Sequence, residues 1–279
     1  MSSVKPALHF GPRLVAAPTG SLRAAVVVRP RRSIESAKPL PGEPGSVYER
    51  ALEQHAVLVK TLEYFGVETV VLDAHADDPY EPAVTDAAIA FEDGAVMMRP
   101  TAMSRRGESD RLEAEFERID VPLAGHIAGP GLLDGSDVVL VGSTAFVGAS
   151  ARGNALGRTG FAHVATAHGY SVVEVPYDPS VPALSCVLAG VAPDTVVLAG
   201  SKVDRAPFAG FKTILLEIGE ELAAGVLVLG ERHVIADRRY RTAFSTMRRA
   251  GIVVEGLDLY DFAKIGITPS MLAMPLKRE

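Results

Sequence analysis

Short apolar runs rich in β-branched residues recur along the chain, at residues 25–28, 69–72, 95–98, 138–141, 195–198, 213–216, 226–229 and 252–254. Gly, Pro, Asp or Asn bounds each of them, as expected of strands. Two runs predict hairpins, residues 138–141 with 146–147 across Gly142-Ser143, and residues 226–229 with 233–235 across Gly230-Glu231. Amphipathic patterns lie between them. Over residues 48–65, Leu52, His55, Val59, Leu62 and Phe65 fall at helical spacing, and Gly66 supplies a stop. Ser104 is placed to cap a helix through Leu112 and Phe116. Residues 239–250 predict a helix with Tyr240, Phe244 and Met247 inward, ended by Gly251. The order strand, hairpin, helix, strand repeats at irregular spacing, which suggests a pseudo-symmetric α/β ring or propeller. Periodicity alone does not separate that from an open doubly wound sheet.

Residues 1–21 read as a loose N-terminal extension, punctuated by Pro6, Gly11, Pro12, Pro18 and Gly20. Residues 22–279 show no linker-like break and read as one domain. The segment 33–45, with three prolines and two glycines, reads as a surface loop near a pocket. Hydrophobic residues at 48% against 22% charged give ample core material and exclude a mainly disordered chain. A net charge of −6 supplies no field favouring a phosphate backbone, so no nucleic-acid partner is expected. No apolar run approaches the roughly 18 residues of a membrane span, and no apolar leader is visible. A cytoplasmic protein is the plain expectation. Cys186 is the single cysteine, which excludes an internal disulfide framework and a CxxC metal site. No cofactor or metal is expected; His126 lacks recognisable ligand partners.

Four segments are similar to the dimethylarginine dimethylaminohydrolase branch of the guanidine-modifying (amidinotransferase) superfamily. Leu133-Asp-Gly-Ser-Asp-Val-Val-Leu140 followed by Phe146-Val-Gly-Ala-Ser-Ala-Arg-Gly-Asn154 resembles LDGGDVL…FVGxSxRTN and is the most specific match. Arg99-Pro-Thr-Ala-Met-Ser-Arg-Arg-Gly-Glu108 resembles RPGAPSRRxE. Pro79-Tyr-Glu-Pro-Ala-Val-Thr-Asp86 resembles PDxVFVED, and Glu221-Leu-Ala-Ala-Gly-Val-Leu227 resembles an AANxL element. The match covers residues 24–276. It implies a five-module α/β propeller (pentein fold) with its active site at the central axis.

The resemblance also implies roles for particular side chains. Asp134 and Asp86 become the carboxylates that grip a guanidinium, a pairing tolerable in a buried site when a cation neutralises it. Arg105 and Arg152 match arginines that clamp an α-carboxylate, a task suited to the guanidinium fork. The family's cysteine nucleophile falls on Pro269 without a gap, or on Ser270 with a one-residue slip. Its histidine falls near Val181 or Pro182. Neither chemical group is present. Tyr80 and Thr85 stand where the family has acidic residues, and Gly225 where it has asparagine. Cys186 reads as a buried structural thiol. A serine hydroxyl at 270 needs a base within hydrogen-bond reach, and the usual imidazole is missing.

Two functions follow from this. The first is an enzyme that binds an arginine-like amino acid and acts on it by C–N hydrolysis, elimination or cyclisation without a cysteine nucleophile. Asp134, Asp86 and Ser270 are then the catalytic candidates, and Arg105, Arg152, Tyr80 and Thr85 the substrate-binding ones. The second is a non-catalytic pseudoenzyme that binds an amino acid or serves as a scaffold. A small-molecule amino-acid ligand is the expected partner, with no membrane and with a homodimer as the assembly allowed for.

Overall fold

The computed structural model describes residues 9–74 and 78–279. Its strands form five separate three-stranded sheets, in the orders β15-β1-β2, β3-β4-β5, β6-β7-β8, β9-β10-β11 and β12-β13-β14. The same motif is repeated in each. An antiparallel hairpin is followed by a crossover segment and then by a strand parallel to the hairpin's second strand. In the second module β3 (Ala88–Ala90) pairs antiparallel with β4 (Ala95–Met97), α2 (Arg106–Arg118) crosses over, and β5 (Leu123–His126) returns parallel. β6 (Val138–Val141), β7 (Thr144–Gly148), α3 (Ala155–Ala167) and β8 (Ser171–Val175) repeat the pattern. So do β12 (Leu227–Gly230), β13 (His233–Asp237), α4 (Arg241–Arg249) and β14 (Val253–Leu257). In the fourth module, β9 (Leu188–Ala192), β10 (Thr195–Leu198) and β11 (Lys212–Leu215), a single 3-10 turn at Ala206–Phe208 replaces the helix.

The remaining sheet closes the ring. β1 (Leu22–Arg29) pairs antiparallel with β15 (Met274–Arg278) and parallel with β2 (Glu68–Asp73), with α1 (Tyr48–Tyr64) between β1 and β2. Three strands need a buried apolar face to hold by themselves, and these modules bury theirs against one another, with Val27, Phe146, Leu198 and Ile235 in one core cluster. The burial pattern follows from this arrangement. The first strand of each hairpin lies innermost, and β9 and β12 are buried at every position, whereas the rim strands β2, β5, β8 and β11 start exposed. This is the five-module pentein propeller, not an open doubly wound sheet.

The helix starting at Tyr48 stands as expected, but its core stripe is Ala51, His55, Leu58 and Leu62, with Leu52 and Val59 only half-buried. Gly66 follows with φ +76°, the left-handed stop that favours glycine. Ser104 does not cap α2. It lies in a 3-10 turn, Met103–Arg105, and its hydroxyl donates to Asp78 Oδ2 at 2.6 Å. The extension is not loose over residues 9–20. Leu14 N donates to Glu92 O at 2.7 Å and Val15 N to Phe91 O at 3.1 Å. Phe10, Leu14 and Val15 are buried, each contributing about 1.5–3 kcal/mol by leaving water. Residues 1–8 of that extension, including Pro6, lie outside the described residues. No described helix is long and apolar enough to cross a membrane.

Candidate functional site

A tight turn precedes every innermost strand. 3-10 turns at Val84–Asp86, Gly135–Asp137, Leu184–Cys186 and Glu221–Ala224 lead into β3, β6, β9 and β12, while the short helix α6 (Pro269–Leu272), which follows the one-turn helix α5 (Tyr260–Ala263), leads into β15. These turns meet around the axis and bond to one another. Ser136 N and Oγ both donate to Asp86 Oδ1, the first at 3.2 Å. Leu184 N donates to Asp137 Oδ1 at 2.9 Å. Ser270 N donates to Gly225 O at 3.1 Å, and Ser270 Oγ to Ser185 O at 3.2 Å. A Cβ on Gly135 would stand 2.0 Å from Thr85 O, so only glycine allows the first two turns to approach this closely.

One face of this ring carries a cavity of about 870 Å³. Asp86, Asp134, Arg105, Arg152 and Tyr80 all line it, so the structure brings these five candidates together. The loop at residues 38–41 forms part of the wall, as expected of segment 33–45.

The charges form one network. Asp86 is fully buried and pairs with Arg105 Nη1 and with Arg152 Nη2, the latter at 2.8 Å. Burial pushes its carboxyl up, but Arg152 and Arg105 outweigh that and hold it down at about 2. Arg105 is buried too. Its Nε and Nη2 bond Glu108 at 2.8 and 2.7 Å, and Nη2 also reaches Ala83 O at 3.2 Å. With its donors committed in this way, Arg105 is a buried counter-ion more than an open clamp. Arg152 differs. Its side chain is 27% exposed, its Nη2 pairs with Asp86 and with Asp134 at 2.8 Å each, and its Nε has no hydrogen-bond partner among the described residues.

Asp134 is the carboxyl on the described wall that is pushed up. It accepts Thr101 N at 2.6 Å and pairs with Arg152, yet burial, aided by the Asp86 charge, pushes its carboxyl up to about 6. Proximity to neutral pH gives it both protonation states. Asp137 is fully buried and accepts from Ser150 Oγ at 2.5 Å and Tyr177 Oη at 2.6 Å, a turn-bracing role.

Two candidates fall outside this cavity. Ser270 and Thr85 line a second, smaller cavity on the other side of the turns. Ser270 Oγ is bound to Thr268 Oγ1 at 2.9 Å as well as to Ser185 O, and among the described residues no imidazole or carboxylate bonds to it. Pro269 opens α6 and is buried, a position where its missing N–H is no loss. Met271, and not residue 269 or 270, faces the main cavity. Cys186 is fully buried 3.8 Å from Thr268 Oγ1, Gly266 O and Met271 Sδ, and burial pushes its thiol up to about 11. A thiol so placed is inert. The change at Gly225 also has a local cause, because a Cβ there would lie 2.5 Å from Thr268.

Sequence reasoning missed Glu108, Tyr177 and Met271. Glu108 was detectable, being three residues from Arg105 on one helical face. Tyr177 follows β8 in a loop with no motif of its own. Among the described residues no cluster of three or more His, Cys, Asp or Glu could hold a metal ion.

Comparison with known proteins adds to this geometry. No protein-family model matches the chain. It is 34% identical over 182 residues to the N(G),N(G)-dimethylarginine dimethylaminohydrolase of Streptomyces coelicolor, covering 64% of this chain and 68% of that one. It is 29% identical over 218 residues to the enzyme of the same name from Pseudomonas aeruginosa, covering 78% and 85%. Among solved structures, a cysteine-to-serine variant of DDAH from Pseudomonas aeruginosa complexed with citrulline superposes with a TM-score of 0.82, at 25% identity, over 91% of this chain and 99% of that one. A histidine-to-glycine variant of a dimethylarginine dimethylaminohydrolase, as its adduct with S-methyl-L-thiocitrulline, superposes equally well, with a TM-score of 0.82 at 26% identity over 91% and 99%.

Proposed function

The chain belongs to the dimethylarginine dimethylaminohydrolase family, and from that premise we propose that its axial cavity binds an arginine-like amino acid and acts on it by acid–base chemistry at Asp134, without a covalent intermediate. The observation that carries this reading is the Asp134 carboxyl, held near 6 on the wall of a cavity in which, among the described residues, there is neither thiol nor imidazole. In its simplest form water is the nucleophile. Asp134 takes a proton from the water as its oxygen adds to the guanidinium carbon. The C–N bond then breaks, and the departing amine receives that proton, leaving a ureido product. Arg152, partly exposed on the cavity wall, suits the ligand's α-carboxylate, and Asp86 keeps Arg152 in place. Arg105 and Glu108 support Asp86 from behind.

Relatives crystallised with citrulline and with S-methyl-L-thiocitrulline support an amino acid of arginine's length as the ligand class. The test is incubation with arginine, its methylated forms, hydroxyarginine and citrulline, followed by mass spectrometry of the small molecules. Turnover of one of them, lost in Asp134→Asn while binding persists, is the expected result. Turnover unaffected by Asp134→Asn would sink the assignment. A second reading, binding without turnover, is favoured by one observation: Arg105 and Arg152 are already paired with Asp86, Glu108 and Asp134, which suits a pocket built to hold. Saturable binding with no change in any ligand would establish it instead.

A further inference from the structure

The second cavity lies along the propeller axis behind the turns. It measures about 160 Å³ and is bounded by the five innermost strands. Its walls are small and apolar, with Ala88, Ala189 and Val228 among them. Its inner end carries Ser185, whose residue is 8% exposed and whose Oγ has no hydrogen-bond partner, and Thr85, whose Oγ1 is likewise buried and unpartnered. Arg278, on the last strand, lines the same space. Arg278 is 4% exposed, and among the described residues no carboxylate pairs with it. Its Nη1 and Nη2 donate only to the carbonyls of Gly20 and Val228, at 2.8 and 2.7 Å.

A guanidinium offers five donors, and a buried cation without an anion is unusual because charge is costly to remove from water. Burial accordingly pulls Arg278 down to about 10, against no opposing charge. The cavity is comparable to apolar ones of about 150 Å³ that hold benzene, room for a carbon chain of about five atoms. An apolar cavity with an unmatched cation on its wall suits one kind of molecule. We infer that this rear axial cavity binds a small aliphatic carboxylate, its anionic end on Arg278 and its hydrocarbon between the inner strands.

The probe is isovalerate, titrated into the full chain carrying ¹³C-methyl methionine. Met274 lines the rear cavity and Met271 the front one, so their methyl resonances report which is occupied. Isovalerate should shift Met274 saturably and leave Met271 in place. The neutral isostere isovaleramide should bind at least tenfold more weakly, and Arg278→Gln should weaken isovalerate by a similar factor. If Arg278→Gln does not fold, the acid-to-amide comparison on the unaltered chain still decides. A shift at Met271 alone, no shift at either methionine, or equal affinity for acid and amide would overturn the inference.

Discussion

Raising the pH from 5 to 8 should tighten the binding of agmatine, arginine without its carboxylate, and Asp134→Asn should erase that dependence. The Asp134 carboxyl stands at about 6, against an ordinary 3.8. A guanidinium favours the ionised form, so the apparent Kd scales with the fraction ionised. At pH 5 that fraction is about one in eleven, which makes Kd about tenfold weaker than at pH 8, and at pH 6 about twofold weaker. Without ligand the sign reverses. A carboxyl whose folded value is raised stabilises the fold fully below its unfolded value, and that stability is lost as pH rises through about 6. The full shift amounts to about 3 kcal/mol, so the melting temperature of Asp134→Asn relative to the natural chain should rise between pH 4 and pH 8. Isothermal titration calorimetry with agmatine at pH 5, 6, 7 and 8 measures the first effect, and scanning calorimetry the second. An agmatine Kd that stays flat across this range, or weakens as pH rises, would refute Asp134 as the cation's partner.

Other perturbations follow from the same network. Asp86→Ala leaves Arg105 and Arg152 without their shared anion, and breaking a buried pair this way costs about 3–5 kcal/mol, readable as a lowered urea midpoint. Arg152→Gln should weaken arginine about tenfold through loss of a charge-assisted contact to its α-carboxylate, while agmatine holds or tightens, as calorimetry with the two ligands would show. Cys186 should resist iodoacetamide in the folded chain and react fully in denaturant, and Cys186→Ala should leave arginine binding unchanged, since the thiol is sealed and largely protonated.

The β-branched runs of β1, β2, β6, β10 and β14 were legible in the sequence because valine-rich segments between turn residues have few alternatives. Three of the five innermost strands escaped notice, as did the rim strands β5 and β8. β3 reads Ala-Ile-Ala, β9 Leu-Ala-Gly-Val-Ala and β15 Met-Pro-Leu-Lys-Arg, none with the β-branched signature. Their composition has a physical cause, because five strands converging on one axis leave little room. A Cβ on Gly190 would stand 2.6 Å from Val141 Cγ2. Pro275 and Arg278 broke the pattern of β15, although that strand closes the ring. At the site, Asp86, Asp134, Arg105 and Arg152, grouped by the motif match, line one cavity. What the match could not convey was which charges already neutralise one another: Arg105 is closed off by Glu108 and Asp86, and Arg152 is partly open. Nor does a string of residues say which way a turn faces. Thr85 is adjacent to Asp86 in the chain yet points to the rear cavity, and Ser270 points there while Met271 faces the front.

Native mass spectrometry of the 29.5 kDa chain with S-methyl-L-thiocitrulline puts noncovalent binding to the most direct trial. The native spectrum should show one ligand bound, and acid denaturation should return the mass of the bare chain. Added mass that survives denaturation, or a native spectrum with no ligand at all, would contradict a cavity that holds an arginine-like amino acid without bonding to it.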